Sequence, residues 1–350
     1  MSAASSLLII PVFITHQGCP HRCVFCNQQP ITGRPEQTSD LSLAESVRTE
    51  IKTWLARSPR RGRRVQVAFY GGSFTGMSLG RQQHLLSAVG PFIESGQVDG
   101  IRLSTRPDYI DQETPAFLRR FGVESVELGV QSMDQAVLDQ SLRGHSVRQV
   151  EEAIATLKAA GLTTGAQLMV GLPGETTSSA LKGARRLAGL KPDFARLYPT
   201  LVIGGSGLEV LYRNGRYRPL SLPRAIVLTA RLTVILAQGG IKVVRTGLQP
   251  TAELEASLVA GPYHPAFGEL VKAWTFFKEV RRQLSRYRGQ PCRLFVAAQD
   301  RSLFSGQKRG NLHRLESLQL MEQTTVVYTD APGQRGTVRV EGVDQPIALT

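Results

Sequence analysis

The sequence is short of several things, and each shortage excludes a class of protein. Only four of 350 residues are cysteine. That is too few for the disulfide scaffolds of small secreted domains, and a chain of this length can bury a full core without them. No uncharged apolar stretch approaches the roughly 20 residues that span a bilayer. The run Leu7 to Ile14 is too short, and the flank Met1 to Ser6 lacks the positive charge that opens a signal peptide. Low-complexity tracts and internal repeats are also missing. The expectation is a cytoplasmic protein with reduced thiols and no membrane association. Acidic residues are scarce too, 28 Asp and Glu against 42 Lys and Arg, for a net charge of +14. That excess suits a polyanionic partner, or equally a solvated basic surface, because net charge does not report clustering.

What the sequence does have is concentrated early. Three of the four cysteines, Cys19, Cys23 and Cys26, fall in His16-Gln-Gly-Cys-Pro-His-Arg-Cys-Val-Phe-Cys-Asn27. They follow an apolar run that reads as a buried first strand. Iron–sulfur clusters are held by Cys thiolates, usually four. Three local thiolates leave one iron of a cubane cluster without a protein ligand, and an open metal position is where substrate chemistry happens. A structural zinc site completed by His16 or His21 is an alternative on ligand types, and three unrelated buried thiols are another. Cys292 stands in an apolar strand and reads as a buried thiol.

Strand and helix then alternate. Strands are expected at Val65–Tyr70, Ile101–Thr105, Ser125–Val130, Thr163–Val170, Phe194–Tyr198 and, as a further extended segment, Ile241–Arg245. Helices are expected between them, including Leu79 to Glu94 and Val147 to Ala160, the latter with Ala153, Ile154, Leu157 and Ala160 on one face. Repeated βα units imply a parallel sheet. Each strand ends in a Gly, Pro or polar cluster: Gly71-Gly72-Ser73, Arg106-Pro107, Gln131-Ser132, Gly171-Leu172-Pro173 and Pro199-Thr200. Sites spread over all strand ends favour a curved sheet around a central pocket over an open sheet with one switch point. The fold class is α/β, a partial (β/α)6 TIM-like barrel over residues 1–250. A small α+β appendage over 251–350 is marked by the break Gly261-Pro-Tyr-His-Pro265 and by three short strands.

Taken together, these strand ends resemble the radical SAM superfamily. The resemblance implies a [4Fe–4S] cluster on Cys19, Cys23 and Cys26, with S-adenosylmethionine chelated to the open iron and cleaved by one electron to a 5′-deoxyadenosyl radical. The cofactor carries the hard chemistry, and the protein supplies position and exclusion. By the same resemblance Phe25, Gly71, Gly72 and Ser73 border the cofactor, with Ser73 where that family has an acidic residue. Ser104, Arg106 and Gln131 face its ribose, carboxylate and neighbouring groups, and Met169, Gly171 and Leu172 hold its adenine. Tyr70-Gly-Gly-Ser-Phe-Thr75, Ser104-Thr-Arg-Pro-Asp-Tyr109, Val126-Glu-Leu-Gly-Val-Gln-Ser132, Arg143-Gly-His145 and Leu197 to Ile203 are similar to the radical domain of the Elongator catalytic subunit. That enzyme modifies wobble uridines in tRNA. Its first two cysteines are usually further apart than here, and residues after 250 fall short of its acetyltransferase domain, so acetyl transfer is not expected.

The implied partners are tRNA and an electron donor such as flavodoxin or ferredoxin. A small-molecule reaction of porphyrin or cofactor biosynthesis is the second expectation, and a zinc-dependent nucleic-acid-binding module the third. His145, Tyr198, Tyr263 and His264 are further candidate contacts, each with an ordinary packing explanation. Arg281, Arg282, Arg286, Arg288, Lys308, Arg309, His313 and Arg314 are a candidate phosphate-tracking face of the appendage.

Overall fold

The structure, a computed structural model, describes residues 7–14, 19, 21–27, 40–330, 336 and 338–342. His16 lies outside them, as does the stretch 28–39 of the loop expected from Gln28 to Leu41, whose last two residues instead open the first helix. Seven strands form one all-parallel sheet in the order β1 (Leu7–Phe13), β2 (Arg64–Tyr70), β3 (Gly100–Thr105), β4 (Val123–Gln131), β5 (Thr163–Val170), β6 (Phe194–Pro199) and β8 (Lys242–Thr246). The sheet curls into a partial barrel, as expected from the distribution of strand-end clusters. Runs such as Val65, Val67, Ala68 and Phe69 are buried without alternation, as parallel strands covered by helices should be.

The helices between the strands are α1 (Asp40–Arg57), α2 (Leu79–Ser87), α3 (Gly90–Glu94), α4 (Thr114–Arg120), α5 (Gln135–Gln140), α6 (Val147–Ala159) and α7 (Thr177–Leu190). α6 starts on a capping box, in which the Ser146 hydroxyl accepts from the Gln149 amide and the Gln149 side chain accepts from the Ser146 amide. It ends before Gly161, whose φ of +72° suits glycine. The single helix expected from Leu79 to Glu94 is instead two, because Gly90-Pro91 starts a new helix.

The Gly-rich segment after β6 carries more than a turn. Val202–Ile203 (β7) pairs antiparallel with Leu258–Ala260 (β9), and Ser206 caps a short helix, α8 (Gly207–Arg213). After α8 the chain continues through α9 (Leu222–Gln238), β8 and α10 (Ala252–Ser257).

The chain divides into two compact units, one of residues 1–221 and 232–263, the other of 222–231 and 264–350. The second holds α11 (Phe267–Leu284), α12 (Arg301–Ser305), α13 (Gly310–Ser317) and a three-stranded sheet in the order β11 (Thr324–Thr329), β10 (Cys292–Ala297), β12 (Val338–Gly342). Its core joins Phe276, Phe277, Val280, Leu284, Leu294, Val296 and Phe304, with Cys292 buried among them. Several cations of the expected phosphate-tracking face are already engaged. Arg282 pairs with Glu279, Arg288 donates to the Leu318 carbonyl, and Arg314 stacks 5.2 Å from the Trp274 ring centre. No helix among the described residues is long and apolar enough to cross a membrane.

Candidate active site

The cysteine loop leaves β1 and is pinned on both flanks. The Val24 amide donates to the Ser141 carbonyl at 3.1 Å, and the Val24 carbonyl accepts from the Leu208 amide at 2.5 Å. The Asn27 side chain donates to the Gly204 carbonyl at 2.7 Å. Val24 is buried with Val202, Leu208 and Tyr217, with Phe25 packed beside them. Loop backbone is thus tied to α8 and to the segment after α5.

A pocket of about 280 Å³ opens at the carboxyl ends of the strands. Cys19, Cys23, Phe25 and Cys26 form one side. Gly71, Gly72 and Ser73 come from the end of β2, Ser104 and Arg106 from β3, Gln131 from β4 and Met169 from β5. Eleven of the thirteen residues that the resemblance assigned by number thereby line the pocket. Gly171 and Leu172 are not among its lining residues. The Gly171 amide donates to Glu175 Oε2 at 2.6 Å, and its carbonyl accepts from Tyr217 at 2.6 Å. A larger cavity, about 510 Å³, lies at the amino ends of the strands near Arg64, Arg102 and Arg119. It holds none of the cysteines, so size alone does not locate the chemistry.

Each strand-end residue has a physical reason for its position. Gly71 has φ +89°, a backbone conformation that other residues rarely adopt. Ser73 is buried and ties β2 to β3: its hydroxyl accepts from the Arg106 amide at 3.2 Å and lies 3.0 Å from the Thr105 hydroxyl. Arg106 is 2 % exposed. Two of its nitrogens grip Asp108, and its third, Nη1, is buried without a hydrogen-bond partner. Gln131 sits at a register shift in β4 with φ +66°, unusual for a non-glycine residue. Its side-chain oxygen accepts from Gln167 at 3.2 Å.

Sequence reasoning missed several lining residues. Glu127, Gln167 and Arg143 face the pocket as well. Glu127 Oε1 accepts from Tyr70 at 2.9 Å, Arg102 at 3.1 Å and Arg196 at 2.9 Å. Burial and the neighbouring Glu127 charge raise the Tyr70 phenol well above its ordinary value. The available signal was alternation: Glu127, Gly129 and Gln131 share one face of β4 by period two. Arg143 was quoted only as part of Arg-Gly-His. His145, the candidate contact in that triplet, is instead buried outside the pocket, and burial beside Arg143 pushes it down to about 3. Tyr198 does line the pocket. Tyr263 bonds Glu255, His264 Nδ1 accepts from the Ala266 amide, and neither residue lines the pocket.

Among the described residues no three His, Cys, Asp or Glu side chains gather at the spacing of a single ion's ligands. The three sulfurs instead border one cavity. Thiolates suit iron–sulfur groups. The unpartnered Nη1 of Arg106 in the same pocket suits a carboxylate. The donor set fits a cluster with a bound amino acid group.

A curled parallel sheet with its polar groups on the strand ends and three thiols on the first loop defines a cofactor enzyme of the partial-barrel type. The radical SAM superfamily model matches residues 13–186, and the radical SAM C-terminal domain model matches residues 192–275. The chain belongs to the radical SAM superfamily and is an enzyme of that class. It is Elongator-like, as the strand-end motifs implied. An uncharacterized protein of Methanocaldococcus jannaschii is 30% identical over 58% of this chain and 64% of its own. The tRNA uridine(34) acetyltransferase of the same organism is 26% identical over 63% of this chain and 48% of its own. The Elp3 structure of Methanocaldococcus infernus, with residues 1–46 deleted, superposes with a TM-score of 0.60 at 21% identity, over 79% of this chain and 64% of that one. The chain therefore spans about half to two thirds of the length of these relatives.

Proposed function

We propose that this enzyme holds a [4Fe–4S] cluster on Cys19, Cys23 and Cys26, binds S-adenosylmethionine in the adjoining pocket, and acts on tRNA. When bound, the cluster would supply the electron that splits the sulfonium and yields a 5′-deoxyadenosyl radical. Arg106 would hold the carboxylate through Nη1 while Asp108 fixes its plane. Gly71 and Gly72 would let backbone approach the methionine end, and Ser104, Gln131 and Met169 would border the nucleoside. Leu201, Ile203, Leu248 and Leu254 form an apolar wall of the pocket. Such a wall restricts water, which a reactive radical requires. All the polar groups named fall within the core proposed for residues 1–250.

The observation that carries this reading is the presence of three cysteines and the unpartnered Arg106 nitrogen in one strand-end pocket. The tRNA part rests on the net charge of +14 and on the acetyltransferase relative named above. Acetyl transfer is not part of the proposal. A cytoplasmic setting, with flavodoxin or ferredoxin as electron donor, agrees with reduced thiols.

The test is turnover. Anaerobically reconstituted protein with dithionite should make 5′-deoxyadenosine from S-adenosylmethionine, faster with tRNA present. Turnover that ignores tRNA but responds to a porphyrin would favour the small-molecule reading. Colourless, zinc-loaded protein without turnover would overturn both.

A further inference from the structure

We propose that Arg143 sets the reduction potential of the cluster. This inference rests on the cluster assignment above and goes beyond it to a positioning residue. Arg143 Nη1 donates to Cys23 Sγ at 3.5 Å. Its Nη2 donates to the Gly129 carbonyl at 2.7 Å. The residue is 6 % exposed, and its Nε is buried without a hydrogen-bond partner.

The surroundings are built for this placement. A Cβ on Gly129 would lie 2.8 Å from Arg143 Nη2, so glycine both makes room and offers its carbonyl. The backbone on either side is left-handed, with Leu142 at φ +51° and Gly144 at φ +75°. Leu142 has no steric licence for that conformation, and such strain persists where surrounding structure imposes it. A Cβ on Gly144 would fall 2.4 Å from His21 Nδ1, so this segment lies directly against the cysteine loop.

Arg106 spends two nitrogens on a carboxylate, whereas Arg143 turns to a carbonyl and a sulfur. A buried cation without a carboxylate needs another counter-charge. Three thiolates around a cluster supply it. Reduction adds one electron from a low-potential one-electron reductant, with no bond formed or broken, and so adds one negative charge. Hydrogen bonds to cluster sulfurs and nearby charge set such potentials. Arg143 stabilises the reduced form and makes the potential less negative.

The test is an EPR-monitored redox titration of reconstituted protein without S-adenosylmethionine, so that loss of cofactor binding cannot contribute. At the potential where half the unmodified cluster is reduced, Arg143→Gln should show a reduced-to-oxidised ratio about tenfold lower, equivalent to about 59 mV for one electron. Arg143→Lys should fall between. An Arg143→Gln titration that superposes on the unmodified one overturns the inference. A readout on the unmodified enzyme stands beside it. With 15N-arginine, the reduced cluster should show a nitrogen hyperfine coupling that Arg143→Lys removes, and its absence overturns the inference even if Arg143→Gln fails to load. Unmodified protein that takes up no cluster would sink the functional reading itself, a different result from a loaded cluster that ignores Arg143.

Discussion

Arg106 grips Asp108 through two parallel hydrogen bonds, Nε to Oδ1 at 3.0 Å and Nη2 to Oδ2 at 2.8 Å. The pairing turns a buried guanidinium into an oriented donor with one nitrogen to spare. On the proposed reading Asp108 would contribute to cofactor binding without lining the pocket. Asp108→Asn should weaken S-adenosylmethionine binding about tenfold, since a hydrogen bond to a charged group contributes roughly 1.5–3 kcal/mol. Cluster loading should not change. Anaerobic equilibrium dialysis against labelled cofactor measures the first, and iron and sulfide content the second.

Glu127 is the counter-charge for both Arg102 and Arg196 inside the barrel. Removing it leaves two buried guanidinium groups unpaired. Glu127→Ala should destabilise by about 3–5 kcal/mol. Pairing it with Arg196→Met should cost less than the sum of the two single changes. Urea unfolding of the four chains checks this, and additive costs would show that the three groups are not coupled.

Gly144 presses on His21, and Gly215, with φ +69°, has nothing within 4 Å of its missing Cβ. The two glycines share a backbone conformation and differ in surroundings. Gly215→Ala should cost on the order of 1 kcal/mol and leave cluster loading intact. Gly144→Ala should lose most of the loading, with partial recovery when His21→Ala is added. Equal loading in both single variants would show that the close approach is unimportant.

Burial pushes Glu175 up to about 7, against the lowering effect of the Gly171 and Leu172 amides, with Asp134 adding a further upward push. The folded state then holds this proton more tightly than the unfolded chain, whose carboxyl has an ordinary value near 4.5. Glu175's contribution is fully present below about 4.5 and is lost as pH rises through about 7. The residue keeps some solvent contact, so the effect should be on the order of 1–2 kcal/mol. Comparing Glu175→Gln with unmodified protein across this range should show the stability difference changing between about pH 4.5 and 7 and level on either side.

Much of this architecture could be read before the structure. The βα alternation and the polar strand ends carried the barrel, because parallel strands announce themselves by apolar runs and their turns by Gly and Pro. The pocket residues Cys19, Gly71, Ser73, Arg106 and Gln131 were legible for the same reason, each sitting beside a strand end. Arg143 and Glu127 were not. Arg143 reaches the cysteine loop across 120 positions of sequence, a distance that no local pattern encodes. Glu127 lies within a strand, where an acid would ordinarily be unfavourable; its partners Arg102 and Arg196 come from strands on either side of it in the barrel. The antiparallel pair of β7 and β9 was missed because two- and three-residue strands carry no periodicity. Ser206, which caps α8, was hidden in a glycine-rich stretch that reads as a turn.

The central claim is that three thiolates hold one cluster with an iron open to S-adenosylmethionine. EPR of anaerobically reconstituted, dithionite-reduced protein tests it most directly. The account predicts a [4Fe–4S] signal that changes on adding S-adenosylmethionine, disappears in Cys23→Ala and survives in Cys292→Ala. A signal that requires Cys292, or no cluster signal in fully folded protein, would contradict it.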